Sequence, residues 1–209
     1  MIEKISDCII PATLEGGIIN NVKIYDLKSS LIASGYPMKT DVATEPFREI
    51  TEKDVSRGIN LNNATKGEKG NGAHNQWMST VIVNFDLTFP VKAWTEIERY
   101  TFVTFCSSQS TMHRIAKFDL DEAYNAYVDP RVVEIMKELA AEYNENPTPE
   151  NYLKLLNTNP NGFKLTARIS TNYRCLANIY KQRKDHRLPE WREFCLWIES
   201  LPLAKELLI

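Results

Sequence analysis

Asn172-Tyr-Arg-Cys-Leu-Ala-Asn-Ile-Tyr-Lys-Gln-Arg183 is the stretch on which the reading of this chain turns. At helical pitch, Arg174, Asn178 and Arg183 follow one another at intervals of four and five residues, with Asn172 just ahead of them. Leu176, Ile179 and Tyr180 fall on another arc. The spacing predicts a helix with one apolar face and one face of amides and guanidinium groups. Arginine offers a rigid fork of donors, and asparagine both a donor and an acceptor. Such a face suits a flat, polar, anionic ligand. A merely solvated helix face carries the same signature, so both readings stand at this point.

Around this helix the composition is that of an ordinary soluble globular protein. Of 209 residues, 43% are hydrophobic, and 25 basic against 27 acidic side chains leave a net charge of -2. The length is enough to bury a core, and the expectation is a single domain over residues 1–209. The near balance of charge argues against bulk binding to nucleic acid. Cys8, Cys106, Cys175 and Cys195 are far apart and form no CxxC pair. With His74, His113 and His186 as the only histidines, no zinc spacing arises and no metal is expected. Isolated thiols without a signal peptide predict a reducing, cytoplasmic setting. No apolar run approaches a membrane span, so no membrane partner is expected.

Working outward, Pro189 opens a further helix through Glu199, with Trp191, Phe194, Cys195 and Ile198 on one side, and Pro202 starts a last short one. Upstream, Asn157 to Gly162 is a break. Thr148 caps a helix from Pro149 to Leu156, and Asp129-Pro130 opens one to about Tyr143. Ser107-Ser-Gln-Ser-Thr111 reads as a hydroxyl-rich turn whose groups can donate to a phosphate. Before it, Val91 to Phe105 has a helical period. Thr80 to Thr88 alternates Val81, Val83, Phe85 and Leu87 with Ile82, Asn84, Asp86 and Thr88, the best strand in the chain, and Pro90 stops it. Asn60 to Asn75 reads as a loop, its centre Lys66 to Gly72 matching no phosphate-binding glycine motif. Pro46 to Val55 reads as a short helix, and Val22 to Leu27 as a strand. The fold class expected is α+β, a small, mostly antiparallel sheet with packed helices and a helix-rich C-terminal half.

Three segments resemble the flavin-dependent thymidylate synthases, the ThyX family. The family's Asn-x-Arg-x-Leu-x-x-Phe-Leu-x-Leu-Arg is similar to Asn172-x-Arg174-x-Leu176-x-Asn178-Ile-Tyr-x-x-Arg183. Its following Gln-Trp-Glu-Ile is similar to Glu190-Trp-Arg-Glu-Phe194, with about one residue inserted between. His74 leads into the strand, Pro90 ends it, and Arg99-Tyr100-Thr101 stands where the family has Arg-His-Arg. Ser107-Ser-Gln-Ser110 takes the place of the family's Ser-x-Arg-Tyr substrate loop. The likeness covers roughly residues 74 to 200, and its style is also that of divergent phage-encoded members.

The resemblance implies a ThyX-like fold, a homotetramer, and FAD shared between subunits. It further implies a pyrimidine deoxynucleotide substrate (dUMP), with NADPH and methylene tetrahydrofolate as co-substrates. Cofactor contacts would fall to His74, Arg99, Asn172, Arg174, Asn178 and His186. Substrate contacts would fall to Ser107, Ser108, Gln109, Ser110, Arg114 and Arg183, with Arg183 also the catalytic residue. Two positions of Arg-His-Arg differ here, and the loop arginine has no counterpart before Arg114. The expectation is therefore dUMP methylation or a related uracil modification. The alternatives are a nucleotide- or flavin-binding relative without methyl transfer, and a partner-binding scaffold whose polar helix face meets another chain.

Overall fold

The computed structural model describes residues 17–66 and 74–209. These form an open, antiparallel four-stranded sheet in the order β1-β2-β4-β3. Strand β1 is Ile19–Tyr25, β2 Ile82–Pro90, β3 Thr104–Ser108 and β4 Lys164–Asn172. The helices are α1 (Leu27–Ala33), α2 (Glu52–Lys66), α3 (Val91–Ile97) and α4 (Thr111–Arg114), then α5 (Pro130–Glu145) and α6 (Pro149–Thr158). Helices α7 (Tyr173–Arg183), α8 (Pro189–Glu199) and α9 (Ala204–Leu207) close the order. The α+β architecture and the helix-rich C-terminal half are as expected. The strand read from alternation lies inside the sheet. Its residues Val83, Phe85, Leu87 and Phe89 are all but inaccessible, as a strand packed on its odd-numbered face requires.

The chain divides into two compact units, and β2 and β4 each contribute to both. The first unit comprises residues up to Asp86, Tyr100–Thr104 and Ile169–Ile209. Its core is aromatic. The Phe85 ring meets Phe194 at 5.8 Å and Trp197 at 4.7 Å between centroids, and Trp191 meets Phe194 edge-on at 5.8 Å. Leu176 and Ile179 of α7 and Trp191, Phe194, Cys195 and Ile198 of α8 are buried, which is the apolar face each helix pattern calls for. The second unit comprises Leu87–Arg99 and Phe105–Arg168. Its core gathers Ile115, Met136, Leu139, Leu155 and Phe163, with Phe118 and Tyr124 edge-on to Phe163. Asp129 caps α5 by accepting from Arg131 N–H, and Thr148 caps α6 by accepting from Asn151 N–H, as their sequence positions suggest.

Five expectations change. The helical period of Val91 to Phe105 sustains only α3, which stops at Ile97. Thr101-Phe-Val-Thr-Phe105 is wholly β-branched and aromatic, and its last two residues begin β3. Ser107 and Ser108 accordingly end a strand and do not form a turn. No element is read between Gly162 and Asn172 from sequence, yet β4 lies there, with Ala167, Ile169 and Thr171 buried in alternation. The helix expected over Pro46 to Val55 forms instead as α2, six residues later. Arg48 and Thr51 are held by Asp54: Thr51 N–H and Oγ1 donate to Asp54 Oδ2 at 2.9 and 2.7 Å, which fixes the helix start. Asn60 to Thr65 continues that helix where a loop is expected. Buried Asn62 donates to the carbonyls of Glu206 and Leu207 at 3.2 and 3.0 Å, so tertiary bonding overrides the weak helical propensity of asparagine. Residues 67–73 of the expected glycine-rich loop, and Cys8, lie outside the described residues, while His74 and Asn75 form a turn.

Candidate functional site

Strand β4 delivers the chain directly into α7. Asn172 is the last residue of the strand and the N-cap of the helix, its Oδ1 accepting from Cys175 N–H at 2.9 Å. It is buried, so this amide is committed to building the helix entry. Tyr173 next to it is fully buried and donates its hydroxyl to Pro202 O at 3.0 Å, anchoring the first turn. The polar face then opens. Arg174, half-buried, donates to Gln76 Oε1. Asn178 is exposed, and its Oδ1 accepts from Gln182 Nε2 at 3.0 Å one turn on. His74 lies in an exposed turn two residues before Gln76.

At the C-terminal end of α7, Arg183 sits in an aromatic cage within the same unit. Its Nε donates to the Tyr100 hydroxyl at 2.9 Å, and its Nη1 lies 2.9 Å from His186 Nε2. The guanidinium carbon stands 4.7 Å from the Trp191 ring centre and 5.7 Å from that of Tyr100. A guanidinium against an indole face is held by the ring quadrupole as well as by dispersion. Tyr100 OH in turn donates to Gln182 Oε1 at 2.9 Å. His186 in turn accepts from Leu188 N–H at Nδ1, at 3.2 Å, and is edge-on to Trp191. Tyr100 is itself buried, 8% exposed, its ring packed edge-on against Trp191.

The remaining candidates lie in the second unit. Arg99 is exposed in the turn that follows α3. Ser107 and Ser108 are exposed on β3, an edge strand whose five residues are all exposed. Gln109 is drawn into the sheet: its backbone N–H donates to Thr166 O, and its Oε1 accepts from Thr166 N–H, both at 2.9 Å. Ser110 is the N-cap of α4 and its carbonyl accepts from Arg114 N–H at 3.1 Å. Arg114 is exposed at the end of that one-turn helix.

The two described thiols near α7 are both buried. Burial pushes the Cys175 thiol up and, helped by Glu199 and Asp185, the Cys195 thiol up to about 12. Among the described residues no group of three or more His, Cys, Asp or Glu side chains could hold a metal ion, and no helix is long and apolar enough to cross a membrane. The sequence reading did not single out Tyr100, Gln182 and Trp191 as neighbours of Arg183. Gln182 adjoins Arg183 in sequence, but Tyr100 and Trp191 reach it only through the fold.

No family model and no curated protein matches the chain in sequence. Solved structures do match its fold. The flavin-dependent thymidylate synthase ThyX from Helicobacter pylori, complexed with FAD and dUMP, superposes with a TM-score of 0.64 at 16% identity, over 85% of this chain and 93% of that one. The UMP/dUMP methylase PolB from Streptomyces cacaoi, bound with 5-Br dUMP, superposes with a TM-score of 0.60 at 13% identity, over 91% of this chain and 94% of that one. The fold of this chain is thus the ThyX-like fold that the sequence resemblance implies.

Proposed function

We propose that this chain is a flavin-dependent enzyme of the thymidylate synthase type, acting on a pyrimidine deoxynucleotide by methylation or a related uracil modification. The observation that carries the reading is the coincidence of two independent facts. The chain takes the fold of a protein crystallised with FAD and dUMP, and Asn172, Arg174, Leu176 and Arg183, at the N-cap and along one helix, stand at the spacing of the family motif. The donor set fits the cofactor: α7 carries an exposed amide and two guanidinium groups.

In this reading FAD supplies hydride transfer, which no side chain of the protein can. Arg174 and Asn178 hold the cofactor's ring or diphosphate, and Asn172 sets the helix that carries them. His74, His186 and, in the second unit, Arg99 are further cofactor contacts. Arg183 bonds the pyrimidine edge or its phosphate through a planar set of charged donors. In the second unit Ser107, Ser108, Ser110 and Arg114 meet the nucleotide phosphate. Gln109 does so through its amide nitrogen, since its oxygen is engaged by Thr166. NADPH and methylene tetrahydrofolate serve as co-substrates, the assembly is a homotetramer, and the setting is the cytoplasm of a cell, with a phage-type relative as the evolutionary context.

The deciding measurement is the absorbance spectrum of the purified protein, followed by thermal melts with added FAD and then dUMP. Flavin bands, or a melting point raised by excess FAD, are expected. Ligand at a hundred times its Kd stabilises by roughly 2.7 kcal/mol. A colourless protein whose melt is indifferent to both ligands is not a flavoenzyme. The match to PolB supports a second reading on the same fold, in which the ribonucleotide is accepted as well; competition between UMP and dUMP in the same melt separates the two.

A further inference from the structure

We infer that Tyr100 is the positioning residue for Arg183, holding its guanidinium in one orientation through the hydroxyl and the ring, with Trp191 as the second wall. The inference rests on the reading of Arg183 as a substrate-contacting residue and adds the group that aims it. Tyr100 is 8% exposed, yet its hydroxyl is not spent on solvent or on backbone. It accepts from Arg183 Nε at 2.9 Å and donates to Gln182 Oε1 at 2.9 Å, using its single proton and one lone pair. Nε carries one hydrogen, so this bond withdraws the side-on Nε–Nη2 edge of Arg183 from two-point gripping of a ligand. Rotation of the guanidinium about its stem is further opposed by the contact with Trp191 at 4.7 Å. Gln182 is itself tied back to Asn178 at 3.0 Å, so the chain Asn178–Gln182–Tyr100–Arg183 links two of the ligand-face residues of α7 by hydrogen bonds. A tyrosine that only filled core would leave its hydroxyl unpaired at a cost, or turn it to water. Here it bridges the two last residues of the functional helix. Pre-organisation of this kind lowers the ordering cost of binding and keeps a planar donor aimed at a planar ligand.

The test is Tyr100→Phe in the full chain, which keeps the ring and removes only the hydroxyl. The first readout is the Arg183 Nε–H resonance in ¹⁵N–¹H spectra of the ligand-free protein, assigned with Arg183→Lys. A shifted, slowly exchanging signal is expected in the parent. In Tyr100→Phe its exchange with water should quicken roughly tenfold or more, as loss of a charge-assisted bond implies. The second readout is calorimetric. With FAD present, dUMP affinity should fall about tenfold while FAD affinity and melting temperature stay near those of the parent. Gln182→Leu, on an exposed helix position, removes the acceptor of the tyrosine proton and should quicken the same exchange; it carries the test if Tyr100→Phe does not fold. An Arg183 signal unchanged in the variants overturns the inference. So does a dUMP affinity that is unaltered while stability falls. If the parent binds neither FAD nor dUMP, the proposed function fails, and the spectra alone still decide whether Tyr100 orients Arg183.

Discussion

Asp54 shows how a single side chain ties several segments of the first unit together. Its side chain is 2% exposed. Arg48 Nη1 and Nη2 donate to it at 2.7 Å each, Arg57 Nη2 donates at 2.8 Å, and Thr51 adds two more bonds. Arg57 also donates to the carbonyls of Leu31 and Ile32, closing the end of α1. The Arg48 guanidinium, aided by Thr51 and Arg57, outweighs the opposing effect of burial and holds the Asp54 carboxyl well below the usual carboxylate range. A depressed folded-state pKa stabilises the fold above the unfolded value, about pH 4, and that contribution fades as pH drops below it. Asp54→Asn should therefore cost roughly 3 kcal/mol at pH 7, because Arg57 loses its carboxylate partner and Arg48 is left with Glu45 alone. The gap between parent and variant should narrow below about pH 4. Urea midpoints at pH 7, 5 and 3 measure this; equal midpoints at pH 7 would show the network to be decorative. Asn172→Ala should cost about 1 kcal/mol as a lost N-cap, read by the same melts. Sequence alone exposes the candidate role of Asn172 through its spacing, whereas Asp54 is invisible there. Its partners come from a turn six residues upstream and from α2, and only folding shows that all converge on one carboxylate.

At the scale of elements, local patterns were legible where one force acts alone. The alternation of β2, the caps of α5 and α6, and the apolar stripe of α8 are each set by short-range rules, and each is found in the structure. The misreadings fall where neighbours decide. Helix α2 is rich in asparagine and holds together through Asn62 and through packing, which no window of its own sequence reveals. Gly58 makes the point testable. In an isolated helix, alanine at this place would gain about 1 kcal/mol. Here a Cβ at Gly58 would come within 2.5 Å of Leu31 Cδ2 and 3.1 Å of Trp77 Cζ2, and both side chains are buried. Gly58→Ala should consequently destabilise the chain, by roughly 1–3 kcal/mol, the usual cost of overpacking. A raised melting temperature would mean that α1 and the Trp77 turn yield more readily than their burial suggests. β4 was missed for a different reason. Its inward residues, Ala167, Ile169 and Thr171, include only one strongly apolar side chain, so the period of two carries little hydrophobic weight.

For the whole molecule, the fold follows from the C-terminal motif far more securely than the chemistry does. Motif spacing fixes a helix and its approach, while reaction rate depends on where charge sits. The family's Arg-His-Arg and loop arginine are represented here by Arg99-Tyr100-Thr101 and Ser107-Ser-Gln-Ser110. Tyr100 and Gln109 are uncharged, and their side chains are engaged by Arg183 and by the Thr166 backbone, so neither replaces the missing cation. Arg114, exposed at the end of α4, is the remaining basic group of that segment proposed to meet the phosphate. Exchanging charged donors for hydroxyls forfeits roughly 1.5–3 kcal/mol per bond to an anion. Two such losses weaken binding of a dianionic nucleotide by on the order of a hundredfold or more. The expected outcome is slow thymidylate synthesis: tritium release from dUMP with methylene tetrahydrofolate, NADPH and added FAD should run well below about 1 s⁻¹, the lower end of ordinary enzyme turnover. Saturation should require far more dUMP than FAD, because the proposed cofactor face of α7 keeps its arginine and amide while the segment proposed to meet the phosphate lacks the family's loop arginine. Arg114→Ala should then raise the half-saturating dUMP concentration further, leaving flavin absorbance unchanged. Ordinary turnover at micromolar dUMP would show that Arg114, or a cation outside the described residues, already restores the charge that the serine segment lacks.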